Sequence, residues 1–140
     1  MQRTASAVWK GGLKDGKGTV STASGVLSNT QYSFGTRFEQ GTGTNPEELI
    51  AAAHAGCFAM ALSAQLGEAG LVAEIIEVSA RVTLEKVTAG WTVTKSHLEL
   101  AAKIPGAGAA VFEKAAQDAK AGCPISRLLN AEITLSAKLV

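Results

Sequence analysis

The chain is sparing in the residues that crosslink, kink or punctuate small proteins, with two cysteines and three prolines in 140 residues. Two cysteines allow one crosslink at most, so the fold must rest on buried apolar surface, and 140 residues are enough to bury it. Charge of one sign is missing too. Thirteen Lys and Arg against twelve Asp and Glu leave a net charge of +1, with no basic run, so there is no electrostatic case for nucleic acid or an anionic membrane surface. Long apolar runs are also absent: the longest, residues 49–62, is short for a bilayer crossing and is interrupted by His54. The first ten residues carry no continuous apolar segment of the kind a secretory leader needs. The expected location is therefore the cytoplasm, a reducing compartment where paired cysteines are more often catalytic or inert thiols than structural crosslinks.

What is present is 46% hydrophobic residues with 18% charged, the composition of a globular chain, and the length predicts a single domain over 1–140. Residues 4–10 alternate loosely around Val8 and Trp9 and predict a first strand, paired across a turn-rich loop with residues 19–22. That loop resembles a phosphate-binding loop in the spacing of Gly11, Gly16 and Lys17. However, Gly18 stands where a magnesium-binding Ser or Thr is needed, and β-branched Thr19 and Val20 follow in place of a helix, so a hairpin loop is the better reading. A third strand is expected over residues 31–38, ending with Arg37.

Asn45-Pro46-Glu47-Glu48 is a strong helix start. Thr44 or Asn45 can cap it, Pro46 suits the first turn, and the two glutamates oppose the positive end of the dipole; Thr44 with Glu47 also fits a capping box. The helix runs to about Gly67 or Gly70 and is apolar on nearly every side, which predicts burial and, in so small a chain, a core shared with a second subunit. Alternation over residues 78–84 and a turn at Ala89-Gly90 predict an antiparallel hairpin with residues 91–100. A second helix over 109–121 stops at Gly122, a short helical turn follows Pro124, and residues 133–139 alternate as a last strand. The order βββ-α-ββ-α-β is α+β with antiparallel sheet.

Five positions invite chemistry. Cys57 lies mid-helix, where a buried cysteine is by itself only a small hydrophobe. Cys123 precedes Pro124 at a helix start, where backbone N–H groups favour a thiolate, so local physics makes it the better reactive thiol. There is no CxxC motif. His54, three residues before Cys57, fits either a hydrolase base, a metal ligand lacking a third partner, or a hydrogen-bonded core histidine, the last being favoured. His97 has no such neighbour. Arg37 and Glu47 read either as surface residues or as a cation with its orienting carboxylate.

The stretch from Gly43 to Phe58, with Lys120-Ala-Gly-Cys-Pro-Ile-Ser126 and Ala131-Glu-Ile-Thr-Leu135, resembles the OsmC family, the osmotically inducible relatives of the organic hydroperoxide resistance proteins. Residues 16–22 and Gly35-Thr-Arg-Phe38 fit the OsmC branch, and the resemblance spans essentially the whole chain. It implies antiparallel sheets wrapped around a long buried central helix in an intertwined homodimer. It also implies a cysteine peroxidase, without cofactor or metal, that reduces organic hydroperoxides, and hydrogen peroxide less well, with an external thiol or dithiol. Cys57 matches the peroxidatic cysteine and Cys123 the resolving one; Arg37 and Glu47 match the pair that activates the thiolate. Apolar residues such as Phe58 and Met60 would then suit an alkyl substrate. Glu47 and Cys57 are ten positions apart, about 15 Å along an unbroken helix. The expectation is therefore a composite site, with Arg37 and Glu47 supplied by the partner subunit. The alternatives are a thiol redox sensor or stress-induced binding protein without turnover, a Cys57–His54 hydrolase and a metal site.

Overall fold

The computed structural model describes residues 1–140 and contains six strands and four helices, an α+β architecture with two three-stranded sheets. The chain divides into two compact units, Met1–Leu49 and Ile50–Val140.

In the first unit, β1 (Ala5–Lys10), β2 (Lys17–Thr22) and β3 (Thr30–Tyr32) form an antiparallel meander. Lys17 opens a strand and not a helix, so the glycine-rich segment is a hairpin loop. Gly18 pairs with Trp9 on one side and Tyr32 on the other. A Cβ there would lie 2.4 Å from the Tyr32 ring and 2.7 Å from the Trp9 ring; without one, the two aromatic rings close over the strand with centroids 5.5 Å apart.

The strand expected over residues 31–38 stops at Tyr32, and Phe34–Phe38 is instead a short helix, α1. Its start is a capping box: the Ser33 hydroxyl accepts from the Thr36 N–H at 3.3 Å, and the Thr36 hydroxyl accepts from the Ser33 N–H at 2.8 Å. Arg37 therefore sits in the last turn of a helix, not at a strand end.

The next helix, α2 (Pro46–Glu68), begins as expected but with different partners. Asn45 caps it, its Oδ1 accepting from the Glu48 N–H at 2.8 Å, while its Nδ2 donates to the Thr36 carbonyl at 2.9 Å and satisfies one end of α1. The Thr44 hydroxyl donates to Glu48 at 3.1 Å, so the expected Thr44–Glu47 box does not form and Glu47 is left to another partner.

In the second unit, α2 ends in a Schellman turn at Gly70 (φ 72°), with the Leu71 N–H on the Leu66 carbonyl and the Gly70 N–H on the Gly67 carbonyl. Burial of α2 falls on one stripe, His54, Phe58, Leu62 and Leu66, spaced four apart; Met60 on another face is 77% exposed. At 23 residues α2 is longer than the 49–62 run, and by length and composition alone it would cross a bilayer. Its buried stripe nevertheless packs into a protein core.

The sheet behind it pairs β4 (Ile75–Val87) antiparallel with β5 (Gly90–Lys103), with Ile76, Val78 and Ala80 packed against the core and Ser79 and Arg81 exposed. One correction concerns the last strand. β6 (Glu132–Leu139) pairs with β5 in parallel, so this sheet is mixed. The connection through α3 (Ala109–Gly122) and α4 (Pro124–Leu128) is a helical crossover, the connection that parallel neighbours require. Phe112, Ala115, Ala116 and Ala119 of α3 close the core over Leu98, Leu100 and Ala102 of β5, while Val111 of the same helix is 44% exposed.

Candidate active site

Cys57 is carried by α2, one position before core residue Phe58, and is half-buried; Cys123 is fully buried at the junction where α3 ends and α4 begins. The junction follows from sequence. Pro124 cannot continue α3 but suits the first turn of α4, so the backbone turns at Cys123, whose N–H still reaches the Ala119 carbonyl at 2.9 Å and whose carbonyl accepts from the Arg127 N–H at 3.0 Å.

The turn brings the two sulfurs to 2.8 Å, where they share a hydrogen bond. Both cysteines are free thiols. The separation is longer than the roughly 2.05 Å of a disulfide bond, so closing one would take a shift below about 1 Å. Burial, foremost, and then the bond to the Cys123 thiol push the Cys57 thiol above its usual value. The backbone N–H of Ile125 opposes this by favouring the thiolate. Helix-start N–H groups were expected to serve Cys123; this one reaches Cys57 instead, across the thiol pair. No cation is among the groups that act on Cys57.

His54 is fully buried, with Nδ1 2.7 Å from the Ser96 hydroxyl on β5 and Nε2 2.8 Å from the Ser126 hydroxyl on α4. Burial lowers its pKa, keeping it neutral. With both nitrogens occupied by hydroxyls it is the hydrogen-bonded core histidine of the sequence reading, and it offers no nitrogen to Cys57 as a hydrolase base would. No three His, Cys, Asp or Glu side chains converge as metal ligands would. Ser96 and Ser126 were not foreseen as its partners, although Ser126 closes the Cys-Pro-Ile-Ser segment.

In the first unit Arg37 and Glu47 do meet. The guanidinium donates from Nε to both carboxylate oxygens at 3.1 Å and from a terminal nitrogen to Oε1 at 2.7 Å. Glu47 is the more buried partner, 13% exposed against 38% for Arg37. The Arg37 guanidinium also lies 5.4 Å from the centre of the Phe38 ring. The fork is possible because Glu48 takes the cap contact and leaves Glu47 free. On α2 itself, Phe58 is fully buried in the core and is not open to a substrate, whereas Met60 is exposed.

Residues 39–138 match the family model described as OsmC-like protein. The chain is 53% identical over 139 residues to the Peroxiredoxin OsmC of Escherichia coli (strain K12), covering 99% of this chain and 97% of that protein. Among solved structures, the organic hydroperoxide resistance protein OhrB of Bacillus subtilis superposes with a TM-score of 0.71 at 26% identity, covering 96% of this chain and 98% of that one. An organic hydroperoxide resistance protein OsmC from Legionella pneumophila gives 0.71 at 27% identity, covering 96% of each. The family model covers most of the chain and the sequence identity extends over nearly its whole length, so the chain belongs to the OsmC-like family.

Proposed function

We propose that this chain is a thiol-dependent peroxidase of oxidative and osmotic stress defence, reducing organic hydroperoxides and, less well, hydrogen peroxide in the cytoplasm. Residues 1–140 act in it as one domain. The observation that carries the reading is the 2.8 Å contact between a half-buried Cys57 and a fully buried Cys123. Only the first is open to a substrate; the second is in place to react with whatever the first becomes. The relatives' names, peroxiredoxin and organic hydroperoxide resistance protein, support the same class.

In the first step the Cys57 thiolate attacks the outer peroxide oxygen. The O–O bond breaks, the alkoxide leaves and takes a proton to become the alcohol, and Cys57 becomes a sulfenic acid. Cys123 then attacks that sulfur; the S–S bond forms as the S–O bond breaks, and the hydroxyl leaves with the Cys123 proton as water. An external dithiol reopens the disulfide by exchange and is itself oxidised.

The first step needs a thiolate, which the surroundings of Cys57 in one chain do not favour. Arg37, oriented by Glu47, supplies the missing cation from the partner subunit of a homodimer, lowering the thiol pKa and steadying charge on the departing oxygen. Two features support a second copy. The strand β1 is exposed along its whole length, Val8 and Trp9 included, and α2 leaves its other apolar faces open. Mass spectrometry after one equivalent of cumene hydroperoxide tests the roles, with a Cys57–Cys123 disulfide expected in the wild type and a Cys57 sulfenic acid in Cys123→Ser. A sulfenic acid on Cys123 in Cys57→Ser, formed at the wild-type rate, would reverse them. Mixing Cys57→Ser chains with Arg37→Ala chains should restore part of the activity, and no recovery after confirmed subunit exchange would sink the composite site.

A further inference from the structure

Two links of matched spacing join α2 to α4. Along α2, His54 and Cys57 are three residues apart; around the start of α4, Cys123 and Ser126 are also three apart. Three residues is the spacing of neighbours on one helical face. The structure pairs them in order: Cys57 with Cys123 at 2.8 Å, and His54 Nε2 with the Ser126 hydroxyl at 2.8 Å. The far ring nitrogen holds the Ser96 hydroxyl at 2.7 Å, and Ser96, like His54, is fully buried. The ring is thus clamped between β5 and α4, with no rotation available that keeps both bonds.

A neutral imidazole has one donor and one acceptor nitrogen, and a serine hydroxyl can answer either, so the trio is fully satisfied with no charge. Such a buried polar chain adds little net stability beyond an apolar filling, but breaking it leaves buried groups unpaired. What it does supply is direction, since only one placement of a five-residue helix satisfies it.

We propose that His54 is a positioning residue for disulfide formation, holding Cys123 opposite Cys57 through Ser126 while Ser96 fixes the ring. The inference rests on the peroxidase reading above. Peroxide reduction needs only Cys57 and its activating groups. The resolving step, in which the Cys123 sulfur must line up behind the departing oxygen of the Cys57 sulfenic acid, depends on where α4 sits. Misplacement by about 1 Å is enough to cost orders of magnitude in such a step.

The test is single-turnover oxidation with one equivalent of cumene hydroperoxide, quenched with dimedone and read by mass spectrometry. In Ser126→Ala, oxidation of Cys57 should change by less than about threefold, the share that a displaced Ile125 N–H would account for, while disulfide formation slows about tenfold or more. Cys57 sulfenic acid then accumulates as the dimedone adduct. Ser126→Thr, which keeps a hydroxyl, should restore the disulfide rate. Ser96→Ala should slow the same step selectively but less, and it serves if Ser126→Ala does not fold. Wild-type disulfide formation in the folded alanine variants would overturn the proposal. So would equal slowing of both steps, or a Ser126→Thr protein no better than Ser126→Ala. Failure of the wild type to oxidise Cys57 at all would instead overturn the peroxidase reading.

Discussion

Glu47 and Glu48 are adjacent acids at one helix start, yet only one holds the guanidinium, and the difference should be measurable. Glu47 accepts three contacts from Arg37, at 2.7, 3.1 and 3.1 Å, using both oxygens. Glu47→Gln keeps one acceptor, replaces the other with a donor pointed at a donor, and removes the charge. A buried charge-assisted fork is worth about 1.5–3 kcal/mol. With Arg37 38% exposed, screening by solvent brings the orienting free energy down to about 1–2 kcal/mol. If the arginine acts on Cys57 as proposed, that loss lowers the second-order rate of Cys57 oxidation by about 5–30-fold. Stopped-flow oxidation by cumene hydroperoxide, with thiolate absorbance followed against pH, gives both the rate and the Cys57 pKa, which should rise. Glu48→Gln is the control. Glu48 accepts the Thr44 hydroxyl and not Arg37, so its rate should stay within about twofold while helix stability drops by about 0.3–1 kcal/mol. Equal effects from the two substitutions, or a full rate in Glu47→Gln, would refute the reasoning.

Three further outcomes follow from the packing. Because His54 is held neutral below its usual pKa of 6.5, with burial as the cause, the unfolded chain takes up a proton that the folded one resists. Stability should therefore be unaffected above about pH 6.5 and fall below it by up to about 1.4 kcal/mol per pH unit until the folded pKa is reached; denaturant melts at several pH values, compared with His54→Gln, would show this slope disappear. Phe58→Ala should cost about 3–5 kcal/mol by urea denaturation, since Phe58 is fully buried in the core of the second unit. Gly18→Ala should cost about 1–3 kcal/mol and change the near-ultraviolet dichroism of the aromatics, because its Cβ would land 2.4 Å from the Tyr32 ring.

The elements that could be read from residues alone were those whose signals are local. The proline and glutamates at the start of α2 and the alternation of β4 each act within a few positions, and both elements form where expected. Gly122, expected to stop α3, is instead its last residue, and the helix is capped at Cys123 ahead of Pro124. Arg37 reads as a strand residue because a helix of five residues, Phe34–Phe38, is too short to show a helical period, and the Ser33–Thr36 capping box uses a threonine where glutamate is the usual sign. The buried stripe of α2 was invisible because an alanine-rich helix has no polar face to mark the other side. The parallel placement of β6 is a matter of which strand it meets, and alternation along one strand says nothing about that. For the site, chain position could name the two cysteines but could not deliver the Ile125 N–H to Cys57 or the two serines to His54, since each depends on how α4 docks.

The parallel pairing of β5 and β6 also orders events in folding. A hairpin can zip from its turn, but β6 can join β5 only after the intervening helices have crossed the sheet and set the return point. Those helices meet at Cys123. The thiol pair therefore waits on the same crossover as the last strand: until the start of α4 has docked on α2, a nascent chain cannot present its two sulfurs to each other.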